Sequence, residues 1–338
     1  MSLNIADTKI VIAGAGSIGC YVGGRLLQAG RNVHFLARDR IKQELTTHGL
    51  TLTDFENEAF EAKQESLNIF TSPDCLAGAD IILVTVKSGA TLDIAKDIER
   101  LAPETAVIVS LQNGVTNADK LRQAVGGRSV VAGMVPFNVV QMGEGRFHQG
   151  TSGAIVVEAG TPGLKALLTA PALEIEEADN MPAIMWGKLL LNLNNALNAL
   201  SDMPLRQQIE DRAWRGLLAD QMAETLSVLR AAGIKPKSAL PLPPGLLPHL
   251  MRLPTPIFRV IAARMLDIDP LARSSMWEDL QRGRLTEIDE LQGAVITLAD
   301  QNRRSAPICT RISALIKDAE QAKAGSPGLS VETIRSGI

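Results

Sequence analysis

"KIVIAGAGSIGCYVGGRLLQAG", residues 9–30, joins a β-branched run to three glycines spaced GxGxxG and then to a helical pattern running from Ser17 to Ala29. Glycine at these positions allows a tight turn, lets backbone approach a pyrophosphate, and lets helix pack on strand, while the helix N-terminus meets the anion. Alone the spacing is weak evidence, but here it follows a strand and opens a helix. Gly14, Ala15, Gly16, Ser17, Ile18 and Gly19 are therefore candidate contacts to a dinucleotide, and the stretch predicts a Rossmann-type doubly wound α/β domain.

The pattern continues outward. "NVHFLA" (32–37), "ADIILVTVK" (79–87), "TAVIVSL" (105–111) and "SVVAGMV" (129–135) read as strands separated by helical stretches, with "GAIVVEA" (153–159) and "ALEIEEA" (172–178) extending the sheet. From Met181 strand signals cease, and helical patterns cover 207–232, 273–302 and 308–322. The expected organisation is a nucleotide-binding domain over 1–180, an all-helical domain over 181–325 and a flexible tail over 326–338. Six prolines between 241 and 256 break the helical pattern, leaving an ordered connector or a lid as readings of 235–256.

Residues just beyond strand ends are candidate ligand contacts, because open α/β sheets bind ligands in the crevice outside the carboxyl ends. Arg38, after the second strand, points to the 2′-phosphate of NADP(H); the other reading leaves it on the surface, with Asp39 as the acidic ribose ligand or a helix cap. Lys87 is a cofactor contact or a solvated loop lysine. Asn113 can donate to one ligand and accept from another.

The bulk numbers exclude several classes. The chain has 338 residues, 46% apolar and 21% charged, which is ordinary globular usage. A formal net charge of −3 gives no reason to expect nucleic acid or an anionic membrane as partner, leaving a small molecule. The N-terminal stretch lacks the pattern of a secretory signal, no apolar run approaches a membrane span, and Cys20, Cys75 and Cys309 lack a CxxC. These features predict a cytoplasmic protein with reduced thiols. Four histidines without paired spacing give no support for a metal site. A helical domain with several apolar faces permits a homodimer.

"MWGKLLLNLNNALNAL" (185–200) reads as one largely enclosed helix carrying a single charge, Lys188, and four asparagines. At ~100° per residue, Asn192 lies about 40° and Asn195 about −20° from Lys188, so the three share a face. Asn194 and Asn198 point elsewhere, toward a cap, another helix or solvent. A lysine there needs a dipolar or anionic partner: a substrate carboxylate or carbonyl, or a structural glutamate. A second polar cluster, "SSMWEDLQRGRLTEIDEL" (274–291), offers Ser274 as a helix cap, with Asp279 and Glu287 as exposed charges or, for Glu287, a group facing a cleft.

In order, "GAGSIG", "VTVK", "LQNG", "WGKLLLN" and "SSMWEDLQRGRLTEID" resemble the ketopantoate reductase family, the NADPH-dependent 2-dehydropantoate 2-reductases of pantothenate biosynthesis, from Lys9 to about Glu320. The resemblance implies that Lys188 is the catalytic lysine that protonates the ketone oxygen and that Asn192 binds substrate. It places Asn113 between nicotinamide and substrate, Ser275 at the substrate carboxylate, Glu287 on the cofactor side, and Arg38 and Lys87 at the cofactor. "FHQGTSG" (147–153) resembles the family's sheet hairpin. The family's further asparagine, eight residues after the lysine, is replaced by Ala196, with Asn195 one position earlier as a candidate substrate contact. The alternatives are an NADP-dependent reductase of another 2-oxo acid, and a protein that senses NADPH without turnover and would need no such lysine face.

Overall fold

The computed structural model describes residues 7–56, 58–238, 242–263 and 272–338. Part of the proline-rich stretch, 239–241, lies outside the described residues, as do residues 1–6 of the N-terminal stretch. The chain divides into two compact units, Met1–Met181 and Pro182–Ile338.

The first unit runs β1 (Lys9–Ala13), α1 (Ser17–Gln28), β2 (Asn32–Leu36), α2 (Asp39–His48), β3 (Leu50–Asp54), β4 (Ala59–Ala62), β5 (Asn68–Phe70), β6 (Ile81–Val84), α3 (Thr91–Leu101) and β7 (Val107–Ser110). It continues through α4 (Asn117–Ala124), β8 (Val130–Met134), β9 (Val139–Gly143), β10 (Arg146–Gln149), β11 (Ile155–Glu158), α5 (Leu164–Leu168) and β12 (Ile175–Ala178). Eight strands form one sheet, ordered β12-β11-β8-β7-β6-β1-β2-β5 and parallel except where β11 runs against β8. Strands such as Ile81–Val84 are buried throughout, as a parallel sheet covered on both faces requires. β1 lies between β2 and β6, so the chain turns in opposite directions from it. That switch point opens a crevice at the strand ends.

A second, four-stranded sheet, β4-β3-β10-β9, was not foreseen apart from the 147–153 hairpin. Only Phe147–Gln149 of that segment joins it, where β10 runs antiparallel to β9 and parallel to β3. The alternation of buried Leu50 and Leu52 with half-buried Thr51 and Thr53 marks β3 as a strand with one covered face. α1 packs against both sheets: its Gly23 faces Phe35 of β2, and a Cβ on Gly24 would lie 2.7 Å from Leu50 and Leu52. A buried Arg25, paired with Asp54 at 2.9 Å and bonded to the Tyr21 hydroxyl at 3.1 Å, ties the helix to β3.

The described part of the second unit is helical, from α6 (Met181–Asn192) and α7 (Asn194–Ser201) to α8 (Leu205–Glu210), α9 (Arg212–Ala231), α10 (Leu247–Arg252) and α11 (Thr255–Ile261). α12 (Ser275–Gln281), α13 (Ile288–Gln301), α14 (Pro307–Ala322) and α15 (Val331–Arg335) complete it.

Three expected helices are broken, each for a visible reason. At 211 the Asp211 carboxylate caps α9 by accepting from the amides of Ala213 and Trp214. α12 ends where Gly283 turns left-handed, with φ 60°. The enclosed helix of 185–200 divides at Leu193, whose carbonyl accepts from the Gln292 side-chain amide at 3.1 Å, a side chain inserted into the helical ladder. The expected flexible tail is also corrected: α15 buries Val331 and Ile334, and the Leu329 amide donates to the Leu200 carbonyl at 2.8 Å. Two apolar residues three apart on a short helix suffice to dock it.

Within the proline-rich stretch α10 and α11 are short, because prolines limit each of them. The fully buried Arg215 clamps this segment to α8 and α9. Its five N–H groups go to the carbonyls of Met251, Ile209, Glu210 and Leu253 and to the Thr255 hydroxyl, at 2.8–3.1 Å. Carbonyls at helix C-termini carry partial negative charge, so they can hold a cation without a carboxylate.

Candidate functional site

The glycine turn is built from three strand ends. The amides of Gly14 and Ala15 donate to the Leu36 carbonyl at the end of β2, at 3.2 and 2.9 Å. On the other side a Cβ on Gly14, whose φ is 106°, would come within 2.6 Å of the Val86 amide nitrogen just past β6. Gly19 lies so close to the turn that a Cβ there would sit 2.7 Å from the Gly14 carbonyl oxygen. Gly16 is exposed, and no side chain caps the first turn of α1. The leading amides of that helix are thus left for an anion, which fits a dinucleotide pyrophosphate.

The predicted cofactor residues of the first unit stand at neighbouring strand ends, whereas Glu287 belongs to the second unit. Arg38 stands two residues beyond Leu36, exposed, as the first flanking residue of α2. Asp39 is the first residue of that helix, and no side-chain hydrogen bond caps it. Lys87 follows Val86 and is exposed. Asn113, half-buried, follows β7.

The loops after β6 and β7 are stitched to each other by a polar network only partly visible in the sequence. Gln112 donates to the Val86 carbonyl at 3.0 Å and to the Thr91 hydroxyl at 2.7 Å. Thr91 in turn donates to Asn117, which reaches Ser88 at 2.8 Å and the Asn113 carbonyl at 2.7 Å. Gln112, just past the end of β7, spends its side-chain amide inside this network. Thr91 and Asn117 carried no signal beyond their position near strand ends.

In the helical unit the four asparagines separate into two kinds. Asn198 is fully buried: it donates to the Met203 carbonyl and to Gln208, and accepts from the Ser274 amide at 2.9 Å. Asn194 is buried and donates to the same Gln208 oxygen. These two are contacts between helices. Asn192 and Asn195 are half-buried, and their side-chain amides have no hydrogen-bond partner among the described residues. Ala196 is fully buried and brings no polar group.

Lys188 is half-buried on α6. Burial pulls its ammonium down from 10.5 to about 8, while the Glu287 carboxylate acts in the opposite direction. Glu287 flanks the start of α13, the helix whose Gln292 holds the α6–α7 junction. Ser274 caps α12 by accepting from the Trp277 amide at 3.1 Å, and its hydroxyl donates to the Asn195 carbonyl at 3.0 Å. That bond sets Ser275, exposed at the first position of α12, beside the asparagine helix. Asp279, one reading of which was an exposed charge, is buried. An ammonium poised near neutrality, with side-chain amides at Asn192 and Asn195 that no described residue engages, can hold an oxygen on which negative charge develops and then give it a proton.

Two family models match this chain, one described as ketopantoate reductase PanE/ApbA over residues 10–162 and the other as ketopantoate reductase PanE/ApbA C terminal over 180–320. The chain belongs to the ketopantoate reductase family. Among members of this family, a 2-dehydropantoate 2-reductase of Pyrococcus horikoshii is 26% identical over 331 residues, covering 94% of this chain and 99% of the relative. The crystal structure of a PanE/ApbA family ketopantoate reductase from Ralstonia eutropha JMP134 aligns with a TM-score of 0.80 at 30% identity, covering 94% of this chain and 99% of that one. The fold is also similar to that of a D-mandelate dehydrogenase solved with NADH and anilino(oxo)acetate, at a TM-score of 0.77 and 22% identity, over 94% of this chain and 99% of that one. No helix among the described residues is long and apolar enough to cross a membrane.

Proposed function

We propose that this chain reduces 2-dehydropantoate to pantoate with NADPH. The observations that carry the reading are the lowered pKa of Lys188 on α6 and the half-buried side chains of Asn192 and Asn195, whose amides have no hydrogen-bond partner among the described residues. When bound, the dihydronicotinamide supplies hydride to the C2 carbonyl carbon. The residues of this chain do the rest. The turn Gly14–Gly19 and the start of α1 hold the pyrophosphate, with Lys87 beside them, and Arg38 takes the 2′-phosphate. The Lys188 ammonium neutralises the forming alkoxide and donates its proton to that oxygen. Asn192 and Asn113 orient the ketone without competing for the proton, and Asn195 and Ser275 receive the carboxylate. Glu287 favours the protonated lysine.

A second reading keeps the reaction and changes the acid. Ala196 offers no amide where the family has one, and a D-mandelate dehydrogenase of similar fold was solved with NADH and anilino(oxo)acetate, an aryl compound. The test is the rate of NADPH oxidation with 2-dehydropantoate beside aliphatic and aryl 2-oxo acids. A kcat/KM highest for 2-dehydropantoate supports the first reading; at least a tenfold preference for another oxo acid replaces it with the second. No oxidation with any of them would overturn both.

A further inference from the structure

Gly187, immediately before Lys188, stands in the interior of α6, where glycine is a poor helix former and alanine the better one. The reason for glycine lies outside the helix. The segment 235–238 follows α9 as a strap, and its Lys237 lies across α6. The Lys237 amide donates to the Ala183 carbonyl at 2.8 Å, and a Cβ at position 187 would overlap the Lys237 carbonyl oxygen and lie 2.8 Å from its carbon. The obstacle is backbone, so no rotamer change relieves it.

The strap is anchored on its N-terminal side. α9 ends with Gly233 left-handed, its amide on the Arg230 carbonyl at 3.1 Å and the Ile234 amide on the Leu229 carbonyl at 2.9 Å, which aims the chain back over the helices. Pro236 then restrains the residue before it to an extended conformation. The strap thus grips the turn Ala183–Gly187. A helical side chain leans over the turn N-terminal to its own Cα, so the stem of Lys188 rests on the turn the strap holds.

We propose that Gly187 and the strap 235–238 are a positioning device for Lys188, in which bare helix backbone at 187 admits a second chain that fixes the turn carrying the proton donor. This rests on the reading of Lys188 as that donor. Among charged groups, Glu287 acts on Lys188, and the strap's own Lys235 and Lys237 are exposed and screened by solvent.

The test compares Gly187→Ala with Gly216→Ala, a second helix glycine whose added Cβ would meet nothing nearer than Arg335 at 3.9 Å. Gly216→Ala should keep the wild-type rate. Gly187→Ala should lower kcat about 10–100-fold, the size expected when a reacting group is displaced by about 1 Å, with NADPH affinity unchanged. Its alkaline limb in the pH profile of kcat, set near 8 by Lys188, should move upward as the loosened turn hydrates the ammonium.

A role confined to stability would lower the melting temperature and leave the limb in place, which overturns the proposal. A wild-type kcat and limb in folded Gly187→Ala does the same. If that variant fails to fold by circular dichroism, Pro236→Gly loosens the strap without touching the helix. It should reduce kcat several-fold with a shift of the limb in the same direction, and an unchanged profile is the overturning result. Lys188→Ala, assayed alongside, separates the two claims. Full activity there removes the underlying reading, whereas loss there with no effect at 187 or 236 removes only the strap.

Discussion

The two units of the chain use polar groups in opposite ways. At the strand ends of the first unit, Gln112, Thr91, Asn117 and Ser88 satisfy one another, and the glycine turn offers uncapped backbone amides at the start of α1. Along α6 and α7 the structural asparagines 194 and 198 are bonded, while the side chains of Asn192 and Asn195 have no hydrogen-bond partner among the described residues. The contrast suits a cofactor that is always the same and a substrate whose oxygens must be recognised one by one. It also separates structural from functional amides within one helix pair, which composition alone cannot do.

The most damaging way to probe the contrast is Lys188→Ala, expected to lower kcat by about 10²–10⁴-fold with NADPH affinity nearly unchanged, measured by steady-state rates and cofactor fluorescence. In the intact enzyme kcat should fall as pH rises through about 8, where the ammonium is lost. Next comes Asn198→Ala, which strands the Met203 carbonyl and the Ser274 amide and should cost about 2–3 kcal/mol in urea unfolding. Asn192→Ala is its counterpart. It should change stability by less than about 0.5 kcal/mol while reducing kcat/KM for the oxo acid roughly tenfold. Equal stability losses for the two asparagines would erase the distinction.

Lys188→Met sharpens the same contrast from the other side. The lysine pKa is lowered on folding from 10.5 to about 8, so below pH 8 the folded state carries the full cost of a desolvated charge. The methionine variant should be more stable by about 1–3 kcal/mol at pH 7, with the gain fading as pH rises from 8 to 10.5, read by thermal unfolding across that range. The smallest effect is expected at the cofactor edge, where Arg38→Gln should weaken NADPH about tenfold, or ~1.4 kcal/mol, and leave NADH binding unchanged.

Much of the nucleotide half is legible in the sequence because its physics is local: β-branched runs make the buried strands, and glycine spacing makes the turn. The four-stranded sheet was mostly missed. Its strands are short, one covered face alternates Leu with Thr, and its register depends on Tyr21, Arg25 and Asp54 meeting across the fold. In the helical unit, periodicity predicts one face for Lys188, Asn192 and Asn195. It could not show that Gln292, nearly a hundred residues later, would divide their helix at Leu193. Nor could spacing reveal that Arg215 would anchor the proline-rich stretch, since its partners are main-chain carbonyls that any sequence supplies.

The docked C-terminal segment has a practical consequence. Ser326 and Leu329 bond to the last turn of α7, and Arg335 pairs with Asp220 on α9, so residues 326–338 clasp the far end of the asparagine-bearing helix pair. Trimming them to improve crystals, or pulling on them through a surface-immobilised affinity handle, would loosen the helix that carries Asn195. An amino-terminal handle avoids that strain.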